Sequence, residues 1–154
     1  MKNTIQTILA TLWVISVITL IALLATKPSP LLSSTSTINM EQGLIKNSQA
    51  ENSLIASDCL HNAAMIKAKD IVDNDYWGHK NPTTGKNESW GYIDDLCGGY
   101  VFAGENLTKE YYNPDKAHKT LMESPGHRAN IVNKNFNKIG VGCYKDVCVE
   151  LFSD

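Results

Sequence analysis

The sequence predicts an α+β domain in which several helices pack on a small antiparallel sheet. Apolar residues recur at helical spacing in residues 58–74 and 114–123. Two short apolar runs, residues 139–143 and 147–152, are typical of strands joined by a tight turn. Helices come first, a hairpin comes last, and there are too few strands for a parallel, doubly wound sheet, so α+β is the predicted class.

The bulk composition limits the partners that the chain is expected to bind. The chain has 154 residues, a formal net charge of −2 and 19% charged residues. This length fits one folded domain plus an additional segment. Because neither basic nor acidic residues are in clear excess, nucleic acid and anionic surfaces are not expected as partners.

Residues 1–27 indicate a targeting segment. Lys2 precedes an apolar run that extends from about residue 5 to residue 25, and about 20 apolar residues can cross a bilayer. A cleaved signal peptide also has a basic start, but it predicts a shorter apolar core and a small-residue cleavage site. An uncleaved anchor is therefore favoured over a cleaved signal, and either would export the rest of the chain.

The exported part is predicted to divide into a linker and a domain. Residues 28–37 are rich in Ser, Thr and Pro without a period, which indicates a linker. Residues 38–154 are long enough to bury one core. The domain is therefore expected outside the cytoplasm, attached to the membrane by the N-terminal helix, or secreted if the signal is cleaved.

The first half of the domain is predicted to be helical. A short helix over residues 38–48 precedes a strong one over residues 58–74, which Ser57 or Asp58 caps. The apolar positions of the strong helix predict its buried face: Leu60, Ala64, Ala68, Ile71 and Val72. Its solvated face is expected to carry Lys67, Lys69, Asp70 and Asp73. His61 lies off the apolar stripe, so we expect it to be solvated.

The second half is predicted to alternate loops, short helices and strands. A Gly- and Pro-containing loop at residues 76–85 leads to a short helix that starts near Ser89 and ends at Cys97. Residues 100–107 are typical of a strand, within which Glu105 is an unusual carboxylate that needs a partner. Asn113 should cap the helix of residues 114–123, on which we expect His118 to be exposed.

The octet of residues 124–131 is typical of a helix start that carries a histidine in its first turn. Ser124 is a favoured N-cap, and Pro125 suits the first helical position because it has no N–H to leave unpaired. His127 is therefore expected at the edge of a cleft rather than in the core.

The four cysteines all lie in the exported part, where an even number suggests disulfides. Three pairings are possible. Cys143 and Cys148 flank the predicted hairpin turn, so a bond between them is plausible, and Cys59 with Cys97 would then close a longer loop. Buried free thiols are the alternative.

Two imidazoles and a carboxylate form the candidate site. His79, Glu105 and His127 are ligand types that suit zinc or another divalent cation, with open positions for water or a ligand. Glu123, four residues before His127, is a candidate fourth member. The alternative is that both histidines bond to backbone and that Glu105 pairs with a donor such as Arg128.

Five segments occur in the order and spacing of one known family: Leu60-x-x-Ala63-Ala64-x-x-Lys67-Ala68-x-Asp70, Tyr76-Trp77-Gly78-His79 with Pro82 and Gly85, Gly104-Glu105-Asn106-Leu107, the octet of residues 124–131, and Phe136-x-x-Ile139-Gly140-Val141-Gly142. Through them the chain resembles the CAP superfamily (cysteine-rich secretory, antigen 5 and pathogenesis-related proteins, or SCP domains) in its short bacterial form. The resemblance implies an αβα sandwich whose central antiparallel sheet is flanked by helices. It also implies a cleft lined by His79, Glu105 and His127, which in some members binds zinc or another divalent ion.

The resemblance leaves three functions open. The favoured one is an extracytoplasmic module that binds a divalent ion or another small ligand, or an envelope component, in the cleft. The second is a metal-assisted hydrolase in which Glu105 or Glu123 would be the base. The third is a structural envelope or adhesion domain with a relict cleft.

Overall fold

The structure is a computed structural model that describes residues 34–154. The predicted anchor and most of the predicted linker lie outside this range. Within the described range, none of the helices combines the length and the apolar character needed to traverse a bilayer.

The described residues form five α-helices and four β-strands. In chain order these are α1 (Ser34–Glu51), β1 (Ile55–Ala56), α2 (Asp58–Asp73), α3 (Ser89–Cys97), β2 (Ala103–Lys109), α4 (Pro114–Glu123), α5 (Pro125–Ile131), β3 (Lys138–Tyr144) and β4 (Val147–Ser153). The predicted α2, α3 and α4 and the β3–β4 hairpin are confirmed to within a residue or two. Ser57 caps α2 and Asn113 caps α4 through their side chains.

The strands form one sheet in the order β1-β3-β4-β2. β4 pairs antiparallel with both β2 and β3, as expected, whereas β1 pairs parallel with β3. The sheet is therefore mixed rather than purely antiparallel. β1 escaped prediction because two residues are too short for an alternating pattern, and both of them are exposed.

Helices cover both faces of the sheet, which confirms the α+β class and the layered arrangement. Side chains alternate along β4, so Val149 and Leu151 pack with α2 and α3 on one face. Cys148 and Phe152 point to the other face, where Met40 of α1 belongs to the same core cluster. The two cores thus share the three long strands as their common wall.

Two glycines of β3 set the distance between the sheet and α2. A Cβ at Gly140 would lie 2.2 Å from the backbone of Leu60 and His61, and a Cβ at Gly142 would lie 2.2 Å from the nitrogen of Met65. Such separations are far below van der Waals contact, so α2 packs directly on the strand backbone. This close approach explains the Gly-x-Gly spacing in β3.

Both expected disulfides are present. Cys59–Cys97 links the first turn of α2 to the end of α3, and Cys143–Cys148 closes the β3–β4 hairpin. No cysteine of the described range is free. The longer bridge spans 38 residues, and it stabilises the fold chiefly by restricting the unfolded chain.

Two element boundaries differ from the sequence prediction. α1 begins at Ser34 and ends at Glu51, so it is longer than the predicted 38–48. Its last turns are polar in sequence, but Ser48 within them is buried. β2 begins at Ala103 rather than at residue 100, because Val101 and Phe102 bond through their backbone to the carboxylate of Asp154 instead of joining the sheet.

Four side chains predicted to be solvated are not, and one of them is Asp70, whose side chain is only 14% exposed. Lys67 is fully buried in α2, and His118 is only 9% exposed, with both ring nitrogens lacking a hydrogen bond within residues 34–154. Burial lowers the pKa of His118. His61 is half-buried, and its Nδ1 lies 2.6 Å from the carbonyl oxygen of Val141. Val72, predicted to be in the core, is only half-buried.

Glu150 is a buried carboxyl group that the sequence pattern did not single out. It lies on β4 among core residues and has no exposed surface. Asn106 Nδ2 donates to its Oε2 at 3.0 Å, and Ser48 Oγ donates to its Oε1 at 3.4 Å. Burial raises the pKa of Glu150 to about 7, although both hydrogen bonds act in the opposite direction.

Glu150→Gln is expected to stabilise the domain above pH 7. The pKa of Glu150 rises from 4.5 to about 7 on folding. The contribution of this group to stability is therefore complete below pH 4.5 and is lost as the pH rises through about 7. An amide keeps the Asn106 contact without ionising. We expect a gain of about 1–3 kcal/mol in the free energy of unfolding at pH 8, measured by urea denaturation.

The matched control is Glu123→Gln, which removes an exposed carboxylate of the same size. Its effect on the difference in stability between pH 5 and pH 8 should be small. A Glu150→Gln variant that tracks this control would contradict the buried, proton-binding role of Glu150.

Candidate functional site

An open cleft of about 360 Å³ lies at the edge of the sheet beside β2. The loop before α3, the first turns of α3, β2 and α5 all contribute to its walls. Its lining includes His79, Asn87, Trp90, Glu105 and Asn130. The cleft therefore contains two of the three residues that the sequence singled out as a site.

Glu105 is the most enclosed acid in this cleft, with a side chain that is 1% exposed. Its Oε1 accepts from Asn87 Nδ2 at 3.0 Å and lies 2.7 Å from His79 Nδ1. Its Oε2 accepts a short hydrogen bond from the hydroxyl of Ser89. These three donors satisfy a carboxylate that has been removed from water.

The hydrogen bond to Glu105 determines which nitrogen of His79 can contact a ligand in the cleft. Because a carboxylate only accepts hydrogen bonds, His79 Nδ1–H must donate to it, and in the neutral tautomer Nε2 then carries the lone pair. Nε2 makes no hydrogen bond within the described part of the chain, and the His79 side chain is 51% exposed. His79 thus presents an oriented imidazole nitrogen at the cleft.

A buried lysine holds the loop that carries His79. Lys67 Nζ donates to the carbonyl oxygen of His79 at 2.8 Å and to the hydroxyl of Tyr76 at 2.9 Å. Tyr76 in turn donates to Asp70, and Asn81 Nδ2 donates to the other Asp70 oxygen at 3.0 Å. Burial lowers the pKa of Lys67, while Glu105 and Asp70 partly restore it.

His127 lies in the first turn of α5, where its imidazole is half-buried. Burial and then the charge of His79 lower the pKa of His127. Ser124 and Pro125 occupy the expected N-cap and first helical positions, but the Ser124 side chain makes no capping hydrogen bond.

Amide side chains fix α5 against β2. Asn130 Nδ2 donates to the carbonyl oxygen of Glu105 at 3.1 Å and to Asn106 Oδ1 at 2.9 Å. Asn106 Nδ2 donates to the carbonyl oxygen of His127 at 3.2 Å. The backbone of His127 is therefore tied to the strand that carries Glu105.

Glu123 and Arg128 do not join this arrangement. Glu123 is exposed, and its carboxylate lies 3.9 Å from Lys119 on the outer surface of α4. Arg128 donates to the carbonyl oxygen of Met122 at 3.2 Å rather than to Glu105. Of the four candidate residues, His79 and Glu105 thus line the cleft and the backbone of His127 is tied to β2, whereas Glu123 lies apart.

Among the candidate site residues, only the imidazoles of His79 and His127 fit a metal ion as direct ligands. Within residues 34–154, no group of three or more His, Cys, Asp or Glu side chains is arranged to hold a metal ion. The oxygens of Glu105 are already committed to His79, Asn87 and Ser89. His79 and His127 would hold a divalent ion directly, and Glu105 would act behind His79 as its hydrogen-bond partner.

Sequence reasoning missed several supporting residues: Lys67, Asn87, Ser89, Asn106 and Asn130. Lys67 alone carried a usable signal, because it follows Leu60 by seven residues and Ala64 by three, which places it on the buried face of α2. Asn87 and Ser89 are common polar residues near a loop, and the carboxylate that they contact is identified only by the fold. Asn106 and Asn130 lie in segments that the sequence singled out, but their contacts across the chain depend on the fold.

The model of the cysteine-rich secretory protein family (CAP) matches residues 47–149. The uncharacterized protein YkwD of Bacillus subtilis (strain 168) is 35% identical to this chain over 97 residues. That match covers 63% of this chain and 37% of the relative. The chain therefore spans well under half the length of the relative.

Solved structures with the same fold come from bacteria. An extracellular protein with an SCP domain from Bacillus anthracis str. Ames is 25% identical, with a TM-score of 0.64, over 79% of this chain and 44% of that one. An outer surface protein from Borrelia burgdorferi is 19% identical, with a TM-score of 0.63, over 72% of this chain and 88% of that one. The latter likeness supports the fold alone.

Lys67→Met is expected to loosen the loop that carries His79. Methionine fills the space but leaves the hydroxyl of Tyr76 and the carbonyl oxygen of His79 without their donor. We expect a loss of about 1–3 kcal/mol in the free energy of unfolding. Hydrogen exchange should also accelerate selectively in residues 76–85, which mass spectrometry of peptic fragments would resolve.

Lys69→Met is the matched control, because Lys69 is exposed on the same helix and pairs with Asp73. It should leave both stability and loop exchange nearly unchanged. Equal exchange in the loop for the two variants would show that Lys67 does not hold it.

Proposed function

This chain belongs to the cysteine-rich secretory protein (CAP) family, and we propose that its domain is an extracytoplasmic binding module whose cleft takes a divalent cation. The observation that carries this proposal is the contact between His79 and buried Glu105. In the neutral imidazole this contact leaves Nε2 of His79 as an oriented lone pair, and the charge of His79 lowers the pKa of His127. The ligand that best matches two neighbouring neutral imidazoles is a borderline-soft metal ion such as zinc.

The buried carboxylate would strengthen such a site. A carboxylate behind a ligating histidine fixes its tautomer and ring orientation, and it raises the basicity of the ligating nitrogen. Glu105 meets this description because its own position is fixed by Asn87 and Ser89. Water or a small ligand would fill the remaining coordination positions, and a bound ion would supply a Lewis acid there.

The proposed location rests on the disulfides and on the relatives. Two disulfides in a domain of this size are typical of an oxidising compartment. One structural relative is an extracellular protein and another is an outer surface protein. The apolar run in residues 1–27 would attach the domain to the membrane, with secretion after signal cleavage as the alternative.

A hydrolase has less support from the geometry. Glu105 would have to give up its hydrogen bonds to act as a base, and Glu123 pairs with Lys119 at the surface. The metal-assisted hydrolase and the structural envelope domain remain the competing hypotheses. Turnover that a chelator abolishes would favour the hydrolase, and absence of ion uptake would favour the structural role.

The proposal predicts that the full-length chain, purified in nonionic detergent without chelators or a histidine tag, binds zinc. Titration calorimetry should give near-stoichiometric binding that His79→Ala and His127→Ala both abolish. Glu105→Gln should weaken binding by about 10–100-fold, because the amide oxygen can still accept from His79 but lacks the negative charge that raises the basicity of the ligating nitrogen. His61→Gln is the control, since His61 bonds to Val141 away from the cleft.

The pH dependence should follow the imidazoles. Protonation blocks their lone pairs, so affinity must fall as the solution is acidified. The pKa of His127 is lowered, so this residue stays neutral to a lower pH than an ordinary histidine. A folded parent that takes up no zinc at pH 7.5 would refute the ion-binding proposal.

A further inference from the structure

A second pocket, of about 330 Å³, lies where the end of α2, the end of β2 and the β3–β4 turn meet. Ile71 and Val147 give it apolar walls, and Tyr76 and Trp77 add aromatic surface. It shares no lining residue with the cleft that contains His79. The proposed ion site does not use this pocket.

Trp77 is the main exposed aromatic surface in the pocket. It is 48% exposed, and Lys109 Nζ lies 5.2 Å from the centroid of its ring. An indole face attracts ammonium groups at such distances through its quadrupole. Lys109 therefore shows, within the chain itself, that this surface accepts an alkylammonium group.

The charges in the pocket favour a cationic ligand. Asp75 and Asp146 belong to its lining, and neither forms an ion pair with any residue of the described range. The one cation in the lining, Lys109, has its own partner, because its Nζ lies 3.9 Å from Glu110. The two carboxylates consequently leave the pocket negatively charged.

We infer that this pocket binds the side chain of a lysine on a peptide partner. The apolar walls would contact the methylene stem, and the ammonium would lie between Trp77 and the two carboxylates. Lys109 is the internal competitor that such a lysine displaces; its side chain is 43% exposed and can move into solvent. Free lysine derivatives are accordingly simple probes for the site.

Fluorine NMR of the full-length chain labelled with 5-fluorotryptophan provides the test. The three tryptophans give three resonances, and Trp77→Phe identifies the relevant one. N-acetyl-lysine methylamide should shift the Trp77 resonance saturably. Its Nε-acetylated counterpart, which keeps the stem but lacks the charge, should bind at least fivefold more weakly. Equal binding of the two probes, or no saturable shift, would overturn the inference.

Three substitutions in the pocket and one control outside it make the test specific. Asp75→Asn and Asp146→Asn should each weaken binding of the lysine probe by about threefold, as expected for a solvent-accessible ion pair. Lys109→Met should strengthen it by about threefold, because the competing cation is gone. Asp95→Asn, an exposed acid of α3 outside the pocket, should change nothing. Weaker binding to Lys109→Met, or an equal loss in Asp95→Asn, would contradict this assignment.

Discussion

The arrangement of the cleft depends on the burial of one carboxylate. Glu105 is enclosed in the sheet, where its charge must be matched by donors from the surrounding chain. Those donors come from the loop that carries His79 and from the residues that start α3. Satisfying this single group therefore positions a loop and a helix against β2. The same requirement orients the imidazole that we propose as an ion ligand.

Other buried polar groups extend this constraint through the domain. Lys67 fixes the backbone of the His79 loop from one face of the sheet, and Glu150 bonds to Asn106 on the other. Asn106 also holds the backbone of His127. Burying such groups costs stability that apolar residues would not cost, and their hydrogen bonds specify one arrangement in return. The disulfides and the close packing of α2 on Gly140 and Gly142 offset part of that cost.

The sequence predicted the long elements because each is specified locally. Asn113 and Pro114 mark the start of α4, and a short apolar run marks β4. The two-residue β1 carries no such pattern, and the burial of His118 depends on how α4 packs rather than on its neighbours in the chain. Within the site, the approach of His79 to Glu105 bridges 26 residues. Ligand chemistry and the family resemblance suggested the members, but only the fold shows that Glu105 supports His79 and that Glu123 lies elsewhere.

The most direct test of this account is the tautomer of His79, measured by nitrogen-15 NMR of histidine-labelled full-length protein at pH 7.5. The account predicts a proton on Nδ1, donated to Glu105, and a lone pair on Nε2. Glu105→Ala should then restore the tautomer mixture of an unrestrained histidine. A proton found on Nε2 in the parent protein would contradict the account, because no lone pair would then be available at the cleft.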